Sequence, residues 1–470
     1  MRGDPGGDDD PCMLKHARDV PAADPRIGRL VVGPTDSNWD EARRPWNLAH
    51  DQRPTFVAFP ESADDVVAIV EHARRYGLRI APQGTGHNAG PLGDLRDTIL
   101  LSTSRMKGVE IDVEGRRARV AAGTLWLEVT EPASERGLAP LAGSSPDVGV
   151  VGYCLGGGVG WLGRKHGLAA NSVLAIEVVT ADGRLRRVDA ANDPDLFWAL
   201  RGGGGSFGTV TAMEIALYPV PELYAGAMWW PWERASEVMH AWREWTLTVP
   251  DEVTSSARIM QIPPIPEIPE FLRGRNFVTI DAAILGDRAF GAEAVQALRD
   301  LDPEIDTFDM VPPVALSRLH NDPEEPMPVM TEHRLLAELP AEAVDAFIAV
   351  AGPDSGSTLM MAEIRHLGGA LGEVRPGHGA LASLEAAYLF FGGGVAATPE
   401  MVAGLDAALP AFKAALAEWD AGRGYFNFEE TAAGSQSFYD EVTHRHLRRI
   451  KTQVDPGDIF MSNHPIAPAD

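Results

Sequence analysis

Apolar and polar positions alternate in two rhythms along this chain, and the switches between them mark its elements. TFVAFP, from Thr55, reads as a strand, and Ser62 then caps a helix in which Val66, Val67, Ile69, Val70 and Ala73 recur at helical spacing until Gly77 ends it. LRIAP returns as a strand and delivers the loop PQGTGHNAG, Pro82 to Gly90, in the order of a small βαβ unit with a loop at the carboxyl end of a strand. TILLS, VEIDV and RRARVAAG are three further β-type runs, and a helix from Trp126 to Arg136 leads to Gly137. VLAIEVVTADGRLRRV gives two strands around an Ala-Asp-Gly turn. DPDLFWALRGGGGSFGTVTAMEIALYPV gives a short helix, a loop from Gly202 to Gly205 and a strand.

Near Val220 the rhythm changes: Pro and Trp become frequent and the glycine clusters thin out. From Glu222 to about Asp420 the strands GAMWW, NFVTIDAAI, STLMMAEI and EAAYLFF alternate with amphipathic helices such as Trp232 to Val249 and Pro399 to Trp419, with IPPIPEIPE as a surface connection. YFNFEE opens a last segment whose helix, Ser437 to Lys451, precedes VDPGDIF. Residues 1 to about 50 show no sustained periodicity and read as a tail or entry arm. There is no repeat at a fixed period.

Length and charge narrow the classes. A chain of 470 residues, 45% hydrophobic, is too long for one core and suggests two or three domains. A net charge of −26 opposes nucleic-acid phosphate and argues against a general nucleic-acid binder. Two cysteines, Cys12 and Cys154, are too few for a disulfide framework and fit a reducing, cytoplasmic setting. No apolar run reaches the length of a membrane span, and MRGDPGGDDDPC lacks the pattern of a signal peptide.

Candidate chemistry gathers at two glycine clusters, the loop Pro82 to Gly90 around His87 and the run VGVVGYCLGGGVG from Val148 to Gly160. Bare backbone N–H groups in such loops can meet a phosphate, although a plain turn has the same composition. No Walker-type loop and no GxGxxG opening a helix is present, so a nucleotide would be held in another way. Two separated glycine walls and an isolated histidine suit a bulky cofactor with a pyrophosphate and a flat ring. The thirteen histidines form no HxxxH or cysteine-paired set, which gives no support to a metal site.

The ordered motifs PQGTGH, AGSSPDVGVVGYCLGGGVGWLGRKHGLAANSV, DLFWALRGGGGSFGTVT, YFNF and VDPGDIF with NHPI resemble the berberine-bridge-enzyme-like branch of the vanillyl-alcohol oxidase, or PCMH-type, superfamily of FAD-linked oxidases, over roughly 54 to 221 and 424 to 466. The resemblance implies an α+β, two-domain PCMH-type FAD-binding fold with an inserted antiparallel-sheet substrate domain. Its divisions are a tail at 1–50, an FAD-binding domain at 51–221, a substrate domain at 222–423 and a segment at 424–470 that returns to the FAD domain.

The same resemblance assigns His87 to the covalent bond with the flavin 8α-methyl, and Gln83, Gly84, Thr85, Gly86 and Asn88 to the pyrophosphate loop. Ser145 stands where many relatives have a second linking cysteine, so a single covalent link to FAD is expected, and Cys154, nine residues on, reads as a small buried apolar residue. Val148, Gly149, Gly152, Tyr153, Leu155, Gly156, Gly157 and Gly158 match the segment bordering the flavin ring and ribityl chain, with Tyr153 in place of a histidine of plant relatives. Val210 and Asn463 are placed on the cofactor side, and Val148 matches a position where a small residue goes with rapid use of O2.

Tyr425 and Asn427 match a strand that sets polar groups over the flavin. Tyr425 is a general base if neighbours lower its pKa, and otherwise a core tyrosine, while Phe428 removes a second tyrosine. His366 and His378 line the pocket or are structural; Trp229, Trp230, Trp232 and Tyr388 stack on a substrate ring or pack; His444 to Lys451 neutralises FAD phosphate or is a solvated helix face. The function expected from the resemblance is hydride transfer from an alcohol, sugar or secondary metabolite to FAD, with O2 reduced to H2O2. A dehydrogenase using another acceptor and a flavin-binding protein without turnover are the alternatives. A small molecule and O2 are the expected partners, with neither nucleic acid nor membrane, and the sequence gives no oligomeric state.

Overall fold

The computed structural model describes residues 25–469; Cys12 and the first half of the expected tail lie outside them. The βαβ reading holds locally. Strand Phe56–Ala58 runs into helix Ala63–Tyr76, which is capped by Ser62 accepting from the Asp65 N–H and closed by Gly77 at φ 68°, and strand Arg79–Gln83 follows. Both strands pair in parallel with Thr98–Ser102, which lies between them, and the helix packs Val66, Ile69, Val70 and Ala73 on this sheet. At its open edge the C-terminal segment adds itself: the Ile80 N–H donates to Ile459 at 2.7 Å and the Met461 N–H to Ile80 at 2.8 Å. The chain end is thereby tied to the strand that carries the histidine loop.

A second sheet is antiparallel, in the order Val109–Asp112, Arg117–Ala121, Thr209–Ala216, Val173–Val179 and Leu185–Asp189. The third has eight strands, all antiparallel, centred on Val253–Gln261, Asn276–Ile284, Met361–His366 and Tyr388–Val395. Period-two alternation sorts its two faces. Ala257, Ile259, Val278, Ile280, Ala282, Ala362, Ile364 and Phe390 face helices Ala235–Thr246, Ala341–Ala351 and Pro399–Ala415. The intervening positions, among them Ser256, Arg258, Thr279, Asp281 and Glu363, are buried as well, on the opposite face. A polar stripe that is fully buried must be satisfied internally or by a ligand.

Several elements differ from the sequence reading. YFNF forms a turn rather than a strand, with the Phe428 and Glu429 N–H groups both donating to the Tyr425 carbonyl; Phe426 packs into one core cluster, while Tyr425 and Phe428 meet edge to face in another. The helix expected at Trp232 begins at Ala235, after a 3-10 turn over Trp232–Arg234, and the last helix runs Glu441–Val454. Trp230 is core and donates its indole N–H to the Leu301 carbonyl, and Trp229 packs edge-on to Phe277. Among the described residues no helix is long and apolar enough to cross a membrane, and no group of three or more metal-binding side chains occurs.

Candidate active site

The histidine loop leaves Arg79–Gln83 and meets the second glycine run directly. A Cβ placed on Gly149 would lie 3.9 Å from Thr85 Cγ2, and His87 Nε2 lies 3.5 Å from Asp147 Oδ2. Thr85 Oγ1 is 2.7 Å from His87 Nδ1. Trp46 stacks on the imidazole, with centroids 4.2 Å apart and planes 15° from parallel, and donates its indole N–H to Asp147 Oδ2 at 2.6 Å. Trp46 is itself fixed by its backbone N–H on the Thr85 carbonyl.

The loop's other residues are anchored from outside it. Gln83 shares reciprocal amide bonds with Gln52, Gly86 takes φ 80° against Pro45, and Gly84 has nothing within 4 Å of a placed Cβ. The Asn88 side chain donates to the Glu429 carbonyl at 3.1 Å, and Asn463 donates to the Asn88 carbonyl.

Val148 is half-buried beside the core, and Gly149 precedes the one-and-a-half-turn helix Val150–Leu155, on which Gly152 is exposed. The next residues pass so close to Asn427 and Tyr425 that side chains are excluded: a Cβ on Gly156 would fall 1.7 Å from Asn427 Oδ1. Asn427 donates to the Tyr153 carbonyl at 3.0 Å, and the Gly158 N–H donates to the Tyr425 hydroxyl at 3.0 Å. The Tyr425 oxygen also accepts from Asn427 at 3.3 Å, but burial dominates and pushes its pKa up, with Arg365 pulling the other way. Ser145 and Ser144 both donate to Asp322 Oδ2, at 2.8 and 3.0 Å. Leu155 is half-buried against the same core. Val210 is buried in that core, paired with Val178, and Cys154 is buried there too.

On the other side of Val159–Trp161 lies a narrow recess of about 20 Å³, lined by Gly160, Trp161, Ser256, His320, Glu363 and Arg365 among others. Its polar groups come from the buried stripe. In the ladder Arg258 stands opposite both Thr279 and Glu363, and Ser256 opposite both Asp281 and Arg365. Arg258 grips Asp281 with two bonds, 2.7 and 3.0 Å, while burial still pushes Asp281 up to about 6. His320 sits 3.5 Å from Glu363 and 3.1 Å from the Ser256 hydroxyl, and burial holds its pKa well down. Arg365 is 3.0 Å from Glu363 and covers the Phe428 ring, yet neither Glu363 oxygen has a hydrogen-bond partner among the described residues.

The structure brings His366 to this recess, where it contacts Arg164 at 3.0 Å and burial lowers its pKa to about 3. His378 stands apart, 2.8 Å from the Ala382 carbonyl. Tyr388 bonds Thr246 inside the helical face, and Lys451 is buried against Asp455 and the Ser206 carbonyl, which removes both from a ligand role. Sequence reasoning missed Trp46, Asp147, His320, Glu363 and Arg365. The usable signal was two charged residues spaced by two, Glu363 and Arg365, in an apolar strand.

Four buried atoms along the glycine segments, His87 Nε2, Asn88 Oδ1, Asp147 Oδ1 and the Tyr153 hydroxyl, have no hydrogen-bond partner among the described residues. Glycine walls with unpaired polar atoms fit a large ligand that carries acceptors, donors and a flat ring.

Comparison with known proteins agrees. Residues 54–189 match the FAD binding domain. The chain is 38% identical over 201 residues to (R)-6-hydroxynicotine oxidase of Paenarthrobacter nicotinovorans, covering 43% of this chain and 44% of that protein. The chain thus spans less than half the length of that curated relative. Its fold superposes on 6-hydroxy-D-nicotine oxidase of Arthrobacter nicotinovorans with a TM-score of 0.78 at 26% identity, covering 93% of this chain and 98% of that one. On a BBE-like protein of Physcomitrella patens the TM-score is 0.83 at 20% identity, covering 95% and 99%. The chain thus carries an FAD binding domain over 54–189 and has the fold of these PCMH-type, berberine-bridge-enzyme-like proteins.

Proposed function

We propose that the protein is an FAD-dependent oxidoreductase of the oxidase type, which removes a hydride from a carbon bearing a hydroxyl or amine on a small molecule and passes the electrons to O2. The observation that carries this reading is the juxtaposition of an imidazole with an open, buried Nε2 on one glycine wall and a recess with a buried carboxylate that accepts no hydrogen bond behind the other. Residues 51–221 with 424–470 would hold FAD, and 222–423 would form the substrate side. Bound FAD supplies a two-electron acceptor.

Gln83 to Asn88 would meet the pyrophosphate through backbone amides, His87 would tether the cofactor through its single covalent bond, and 148–158 would border the ring. The polar lining of the narrow recess would orient the hydroxyl or amine of a substrate that opens it. Glu363, ion-paired with Arg365 yet accepting no hydrogen bond among the described residues, would hold the substrate proton as the hydride leaves, because a base must reach the proton it takes. Tyr425 is the second candidate. Its oxygen accepts from Gly158 and Asn427, the contacts that stabilise a phenolate, and it is absent from the recess lining.

The test is optical. Purified full-length protein is mixed anaerobically with a panel of alcohols, sugars and cyclic amines, and the flavin absorbance is followed; air is then admitted. Bleaching by one substrate class with rapid return of colour and H2O2 formation is expected. Very slow return of colour would indicate a dehydrogenase, and no bleaching by any compound a binding protein. Glu363→Gln should slow bleaching by about 10²-fold or more, and Tyr425→Phe by less. The reverse order returns the base to Tyr425.

A further inference from the structure

Trp46 and Asp147 surround the proposed tether in a way that its attachment alone would not require. This inference rests on the reading that His87 is covalently bonded to FAD. One imidazole nitrogen, Nδ1, is engaged by the Thr85 hydroxyl at 2.7 Å. The other, Nε2, is buried, has no hydrogen-bond partner among the described residues, and faces Asp147 Oδ2 at 3.5 Å. That oxygen is held in place by the Trp46 indole N–H at 2.6 Å, and the same indole lies flat on the ring, 4.2 Å between centroids.

We propose that Asp147, positioned by Trp46, promotes formation of the His87–flavin bond and directs it to Nε2. Linkage replaces one ring N–H and one 8α C–H by an N–C bond. The two hydrogens leave as two protons and two electrons, which dioxygen takes up as H2O2. As the N–C bond forms at Nε2, the imidazole becomes cationic until a ring proton departs. A carboxylate on that side offsets the charge, and it can also accept a proton from Nε2 so that the lone pair faces the 8α carbon. An indole face stacked on the ring favours the cationic form further and fixes the plane from which Nε2 attacks. Asp147 is therefore a positioning residue for His87, distinct from any group that touches substrate. Its own second oxygen, Oδ1, is buried and has no hydrogen-bond partner among the described residues.

The experiment compares full-length wild type with Asp147→Asn, Asp147→Glu and Trp46→Phe. Each is purified, incubated with FAD in air for a fixed series of times, and precipitated with acid, and the flavin is measured in pellet and supernatant. Wild type should keep its flavin in the pellet. Asp147→Asn should be yellow before acid, yet link at least 10-fold more slowly; Asp147→Glu should recover most of that rate; Trp46→Phe should fall between. NMR of the flavin peptide released by proteolysis should show attachment at Nε2. Asp147→Asn linking as fast as wild type, or attachment at Nδ1, overturns the proposal. If Asp147→Asn takes up no FAD, Asp147→Glu decides: colour with linkage supports the proposal, and colour without linkage, or no colour, overturns it. Wild type that releases all of its flavin overturns the covalent reading itself, an outcome distinct from the variant results.

Discussion

The two walls of the candidate site are built on different principles. The glycine wall is made of backbone: 84–90 and 148–160 approach their neighbours so closely that a Cβ at Gly156 would overlap Asn427. The opposite wall is made of side chains, with Arg258, Asp281, His320, Glu363 and Arg365 gathered from three strands and a loop into a buried ionic cluster. Backbone placed by turns costs no desolvated charge, and it presents the same N–H groups whatever the neighbouring sequence. Side chains on strands give chemistry that single substitutions can retune, at the cost of burying charges. The first arrangement suits a constant cofactor and the second a variable substrate.

Breaking the ionic wall should show that cost most plainly. Arg258→Met leaves Asp281 buried beside Glu363 without its two hydrogen bonds. Removing one partner of a buried pair typically destabilises by about 3–5 kcal/mol. The urea midpoint should fall accordingly, and a double change, Arg258→Met with Asp281→Leu, should recover most of the loss. A single variant as stable as wild type would mean that the pair is solvated and the wall is not closed.

Acid should load the same wall in a graded way. His366 stays neutral in the fold down to about pH 3, because of burial first and Arg164 second, whereas the unfolded chain protonates it near its ordinary value of 6.5. The folded pKa is depressed, so the stability contribution is complete above about 6.5 and is lost as the pH falls towards 3, at up to about 1.4 kcal/mol per pH unit. Asp281 has the opposite sign: its folded pKa is raised to about 6, so it favours the fold at low pH and that contribution fades as the pH rises through 6. His366→Asn should therefore lose less stability than wild type between pH 6.5 and 4.5, by about 1–2 kcal/mol. Parallel stability curves for the two proteins would show that His366 titrates normally.

The contrast also explains what could be read from the sequence. Ser62, Gly77 and the spacing of Val66, Ile69, Val70 and Ala73 are local signals, and they place the helix that leads to the histidine strand to within a residue. TILLS and NFVTIDAAI are strands over their full length, as the run of β-type residues indicates. Glu363 and Arg258 are 105 positions apart and meet only because their strands pair in one register, which no local pattern specifies. Trp46 lies in an arm without periodicity and is placed by backbone bonds to Thr85 and Met327. Tyr425 was found by motif, but its turn follows from how its aromatic neighbours pack, and that depends on partners remote in the chain.

The smallest effect tests the backbone wall where it is least crowded. Gly84 and Gly152 both have nothing within 4 Å of a placed Cβ and neither has a positive φ, so alanine fits the protein at each. Gly152 sits inside helix Val150–Leu155, where alanine is favoured over glycine by about 0.8–1 kcal/mol. Gly152→Ala should therefore leave the urea midpoint unchanged or raise it slightly. Gly84→Ala should be equally neutral for the protein alone, since a methyl there meets only open space. If that space is where a pyrophosphate lies against the loop, the methyl pushes the phosphates away from the backbone N–H groups. The expected outcome is a pair of variants with matching stability, of which only Gly84→Ala binds FAD more weakly, by about 10-fold, as read by titration in a His87→Ala background that keeps the cofactor exchangeable. Equal FAD affinity in the two would move the phosphates off Gly84; equal loss in both would show that the wall yields as a whole, and the division between a backbone wall and a side-chain wall would lose its mechanical basis.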